Sequence, residues 1–168
     1  EKIHEVWDIH CIPPAGSRID RIPVTFTTND TEPWRIVLTP MESDKISLAM
    51  RPATSTEIEE FRLPDNQNLG EITLPTPRSA PFTVRLERER KERLSAGPKI
   101  PLLSLCNTPN QTGRIDIFTP DFIPARLEAE GPVPVTPPLP ENGKAASALA
   151  SYRYDPAQRA ELRLSAKE

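Results

Sequence analysis

Three side chains near the start of the chain, His4, Asp8 and His10, are of the types that bind a cation or move a proton. If Ile3 to Ile12 is a strand, alternation turns His4, Asp8 and His10 to one face and Ile3, Trp7, Ile9 and Cys11 to the other. Asp8 and His10 then stand about 7 Å apart at the backbone, near enough to converge on one ion. A metal centre takes three or four protein ligands. His4 and His10 are the only two histidines, and no second strand declares the remaining ligands. The expectation is therefore a solvent-facing polar row with no metal bound.

Other chemistry is supplied even more thinly. A nucleophilic triad needs a histidine held by a carboxylate and aimed at a serine or cysteine, and nothing in the spacing places one. Ala15-Gly16-Ser17 lacks the second glycine of a nucleophile elbow. There is no GxGxxG and no phosphate-cradling loop. The acidic trio Glu57, Glu59 and Glu60 reads as solvated carboxylates at the start of a strand. Cys11 and Cys106 lie far apart without CxxC spacing, so two buried thiols are expected rather than a zinc site or a disulfide scaffold. With aromatic residues at 5%, a stacking platform for sugars or bases is poorly supplied, and Trp7 and Trp34 are assigned to the core. No catalytic residue, cofactor or small-molecule substrate is expected, and the chain is read as a non-enzyme.

The elements that carry these residues alternate at period two. Ile22-Val24-Phe26 and Ile46-Leu48-Met50 are the cleanest runs, and others begin near Ile3, Trp34, Ile58, Ile72, Phe82, Ile100 and Arg114. About nine short strands separated by polar turns predict a mainly β fold, an antiparallel β-sandwich or jelly-roll-like body over residues 1–130. The charged run Val84 to Leu94 is ambiguous. A strand to about Glu87, then a short helix or exposed ribbon with a solvated face, is expected there.

Proline explains much of this punctuation. The 168 residues hold 21 prolines and only 6 glycines, which excludes long helices and, without glycine at every third position, collagen. Scattered prolines such as Pro23, Pro101 and Pro120 suit strand edges, first positions or bulges. From Gly131 they cluster. Pro132, Pro134, Pro137, Pro138 and Pro140, with Leu139, predict a polyproline spacer unable to join a ladder. Pro137-Pro138-Leu139-Pro140 also resembles the segments that WW and SH3 domains accept. Asp155-Pro156 then reads as the start of a short helix over Ala157–Ala166. Residues 131–168 are thus expected to be an arm with too little core of its own. Its candidate contacts with a neighbour are these prolines, Leu139, Tyr152, Tyr154, Leu162 and Leu164.

A net charge of −3 gives no general affinity for nucleic acid, and no run is long and apolar enough to span a membrane. A first residue other than Met suggests a processed or excised chain. Sequons at Asn29 and Asn110 fall in predicted turns where a glycan would fit. The leading expectation is a non-catalytic structural subunit of the virus-capsid or phage type, in a virion or outside the cell, whose arm lies on other copies of itself or on other structural subunits. The alternative is a partner-binding or adhesion domain of a secreted protein. A small β-rich enzyme or accessory domain using Asp8 and His10 is third.

Overall fold

The computed structural model describes residues 2–25, 35–39, 47–63, 68–91, 97, 99–100, 102–105, 110–119, 125–136, 150–156 and 161–166. These form a mainly β protein with three antiparallel sheets. In chain order the elements are β1 (Lys2–Ile12), β2 (Ile19–Thr25), β3 (Arg35–Thr39), β4 (Ser47–Pro52), α1 (Ser55–Phe61), β5 (Asn68–Arg78), β6 (Phe82–Lys91), β7 (Asn110–Phe118), β8 (Ala125–Glu130), β9 (Val133–Pro134), β10 (Ala150–Tyr154) and β11 (Glu161–Ala166). The large sheet runs β3-β6-β1-β7-β10-β9, the second β2-β5-β4, and the third pairs β11 with β8.

Alternation dictates which face of each strand is dry. Along β1, Ile3, Trp7, Ile9 and Cys11 are fully buried. Their partners in register, Val84 and Leu86 on β6 and Ile115 on β7, are buried on the same face. Ile22 and Val24 of β2, Ile72 and Leu74 of β5, and Leu162 and Leu164 of β11 join them, so the inner faces of all three sheets meet in one core.

Two charges enter that core. Glu5 and Arg88 pair across β1 and β6 at 3.0 Å, Nε donating to Oε1, and Arg88 lies 5.4 Å over the Trp7 ring. The charged run that begins at Val84 does not turn into a helix or ribbon at Glu87, and its residues 92–94 lie outside the described residues. It continues as strand to Lys91, and parity sends Arg88 inward while Arg85 faces out.

Prolines sit where their missing donor does no harm. Pro23 lies on β2, at one edge of its sheet. Pro75 and Pro77 lie in β5 beyond Thr73, the last residue paired with β4, where the β2 register also breaks. Pro101 and Pro120 fall outside the described residues.

Two sequence expectations about helices are corrected. The segment at Ile58 is a helix, α1, rather than a strand. Thr54 caps it by accepting from the Glu57 N–H, while the Glu57 carboxylate accepts from the Thr54 N–H. Conversely, residues 161–166 are strand, not helix, because Leu162 and Leu164 alternate into the core opposite β8.

The C-terminal segment is part of the body. β10 lies between β7 and β9 in the large sheet, and Tyr152, Tyr154, Leu162 and Leu164 are core residues of this chain. They are therefore not contacts offered to a neighbour. The proline cluster also joins a ladder: Val133 and Pro134 pair with Arg153 and Tyr152, and the Val135 N–H donates to the Ser151 carbonyl at 2.9 Å. Proline tolerates this position because β9 is an edge and its neighbour Val135 supplies the donor.

Candidate functional site

The candidate site is the outer face of the large sheet, where parity leaves the polar side chains of β1, β6, β7 and β10. The sequence placed His4, Asp8 and His10 on one face. In the structure they are the half-buried or exposed row of β1, opposite the buried one.

Each finds a cross-strand neighbour. Arg85 grips Asp8 through both carboxylate oxygens, Nε to Oδ1 at 2.7 Å and Nη2 to Oδ2 at 3.1 Å. The Asp8 carboxylate in turn raises the Arg85 pKa above its ordinary value. His4 Nε2 stands 3.2 Å from Glu87 Oε2, with its ring 5.4 Å from that of Phe118. His10 Nδ1 is 3.1 Å from the Thr83 hydroxyl.

On β7 an arginine and a carboxylate pair within one strand. Arg114 donates to Asp116 at 3.1 Å and to the Thr136 carbonyl at 2.8 Å, and Asp116, buried, also accepts from the Ser151 hydroxyl. The register brings these residues together: His10 faces Thr83 on one side and Thr112 on the other, Asp8 faces Arg85 and Arg114, and Arg114 faces Arg153. A shallow cleft of about 320 Å³ opens among Asp8, His10, Thr83, Thr112, Arg114 and Arg153, with Val135 at its wall.

A second concavity, about 370 Å³, crosses the β8–β11 sheet over Glu128, Glu130, Glu161 and Arg163. Glu161 is held there by Arg163 at 3.3 Å and Lys99 at 3.7 Å. Among the described residues no three His, Cys, Asp or Glu side chains group as metal ligands. Both Asp8 oxygens accept from Arg85, so a cation shared with His10 would sit against that guanidinium.

The residues singled out in the arm fare differently. Pro132 is buried and Pro134 is exposed on β9, whereas Pro137, Pro138, Leu139 and Pro140 lie outside the described residues. Asn110 is exposed at the start of β7, and Asn29 lies outside the described residues. Cys11 is a buried cysteine whose Sγ lies 4.0 Å from the Ile9 carbonyl, and Cys106 also lies outside the described residues. Sequence reasoning missed Thr83, Thr112, Arg114 and Arg153. Alternation marks Thr112, Arg114 and Asp116 as one face of a strand, but only the register sets them beside His10.

Set against protein-family models, curated proteins and solved structures, the chain has no significant match in any of the three comparisons.

Proposed function

We propose that the chain is a non-catalytic subunit of a larger protein assembly, a β-sandwich or jelly-roll-like body that docks through the outer face of its large sheet. One observation carries this reading. Ile12 and Val133, two large aliphatic side chains that are 47% and 52% exposed, stand on that face together with Arg153. Aliphatic contacts interspersed with arginine, among charges already paired within the chain, are the chemistry of a protein-contact surface. Its neighbours are other copies of this chain or other structural subunits, in a virion, a fibre or an extracellular complex. The contact surface moves from the C-terminal side chains to this face, since Tyr152, Tyr154, Leu162 and Leu164 are spent on the core.

The direct test is native mass by sedimentation. The wild-type chain of 18.8 kDa sediments as an oligomer, and the Ile12→Lys, Val133→Lys double variant sediments as a monomer with an unchanged melting temperature. A wild-type chain that stays monomeric up to about 1 mM, a concentration at which even weak contacts form, overturns the self-assembly reading.

An exposed Asn110 in an Asn-Gln-Thr sequon favours a second reading, a partner-binding domain of a secreted protein. That reading predicts a monomer that carries a glycan at Asn110 after passage through a eukaryotic secretory pathway.

A further inference from the structure

The cleft on the outer face has a charge that its own residues do not neutralise. Asp8 is matched by Arg85 and Asp116 by Arg114. Arg153 is exposed, and among the described residues it has no hydrogen-bond or ion-pair partner. One net positive charge is left, at the rim of a concave site.

The remaining donors converge on the same place. When the Thr83 hydroxyl donates to His10 Nδ1, the imidazole carries its proton on Nε2 and has a donor to spare. The Thr112 hydroxyl is exposed opposite His10. A guanidinium fork, an imidazole N–H and a hydroxyl around one surplus positive charge match a monoanion with two oxygens. A phosphate dianion fits less well, because Asp8 lines the same cleft and a second negative charge would face it.

We propose that this cleft takes a single carboxylate: a Glu or Asp side chain on an extended, aliphatic-flanked segment of a partner protein. This rests on the docking-face reading and names the chemistry it recognises. The flanks specify the rest of the ligand. Ile12 lies two residues beyond His10 on the same side of β1, and Val133 lies across from Arg153. An extended segment sets its alternate side chains about 7 Å apart, so aliphatic residues two positions either side of the acid reach these exposed groups.

The probe is the peptide acetyl-Val-Thr-Glu-Thr-Val-amide, titrated into the full-length ¹⁵N-labelled protein with amide shifts followed by NMR. Saturable shifts are expected at Thr83, Thr112, Arg114 and Arg153. The peptide with Gln in place of Glu, and the Arg153→Gln variant, each bind about tenfold more weakly or worse, as loss of one charged contact implies. Arg153 is exposed, so its substitution leaves the fold intact, which the dispersion of the same spectra checks.

Three results overturn the inference: no shift at these amides at a peptide concentration on the order of 10 mM, equal binding of the Gln peptide, or inorganic phosphate binding the cleft more tightly than the peptide. Native mass, measured on the same samples, separates this failure from that of the assembly reading. An oligomer docked through this face covers the cleft, so the titration is read at dilutions where the mass is that of the monomer. A monomer that does not take the peptide overturns only the carboxylate site, and a chain that takes it but stays monomeric on concentration overturns only self-assembly.

Discussion

Gly113 has no room for a side chain: a methyl group built on it would overlap the ring of Tyr154, which lies across it from β10. The tyrosine needs that depth because its hydroxyl donates to the Leu103 carbonyl at 2.6 Å, and burial pushes the phenol pKa well up. Gly113→Ala is therefore expected to destabilise the chain by about 1–3 kcal/mol through overpacking, and Tyr154→Phe by about 1 kcal/mol through the orphaned carbonyl. Chemical denaturation measures both. A neutral Gly113→Ala would mean the ring can move aside, and the fit of β10 on β7 would not depend on it. The buried Glu5–Arg88 pair makes a second residue-scale prediction with a characteristic sign. Glu5→Leu or Arg88→Met alone breaks a buried ion pair and costs about 3–5 kcal/mol, whereas the double substitution lies within about 1–2 kcal/mol of the wild type or above it. Additive losses in the double variant would show that these side chains act independently.

At the scale of elements, α1 is tied to its sheet by one arginine. Arg51 of β4 donates to both oxygens of Glu57, at 2.6 and 2.7 Å, and reaches Glu71 of β5 at 3.0 Å. The Arg51 hydrogen bonds come first among the causes that push the Glu57 carboxyl down to about 2. The sign follows from linkage. A carboxyl whose folded pKa lies below its unfolded value, about 4.3, stabilises fully above that value and loses its contribution as pH falls towards about 2. Glu57→Gln should flatten the acid limb of a stability-against-pH curve in that window and cost about 1–2 kcal/mol at neutral pH, the solvent around Arg51 keeping the figure low. An acid limb that coincides with the wild type's would remove Glu57 from acid unfolding. The same element shows what was legible in the sequence. Thr54-Ser55-Thr56-Glu57 is a capping box by type and spacing, yet it sits among alternating residues whose period suggests the start of a strand. The period-two runs at Ile3, Ile22, Ile72 and Phe82 gave strands because alternation is local. The pairing of His10 with Thr83 and Thr112 is a matter of register across more than 70 residues, which no local pattern carries.

For the whole molecule the decisive question is what residues 150–166 contribute. Their sequence is short on apolar residues, so taken alone it reads as an arm. Core-building, however, depends on what a segment completes. Tyr152 and Tyr154 continue the inner face of β7, and Leu162 and Leu164 join Ile100, Leu103 and Leu105 in the one core. The Ile100 N–H donates to the Leu162 carbonyl at 2.8 Å, and Arg163 reaches the Gly97 carbonyl at 2.8 Å, stitching Gly97 and Ile100 to the same strand. Burying a large apolar side chain is worth about 1.5–3 kcal/mol. Four such residues thus match the whole stability of an ordinary domain, about 5–15 kcal/mol. A chain ending at Thr136 is accordingly expected to lose cooperative unfolding and amide dispersion, and a synthetic peptide spanning residues 150–166, added in excess, to restore both. A truncated chain that unfolds cooperatively at the wild-type midpoint would make the C-terminal strands an appendage to a complete body. In that case they would again be free to reach across to a neighbouring subunit.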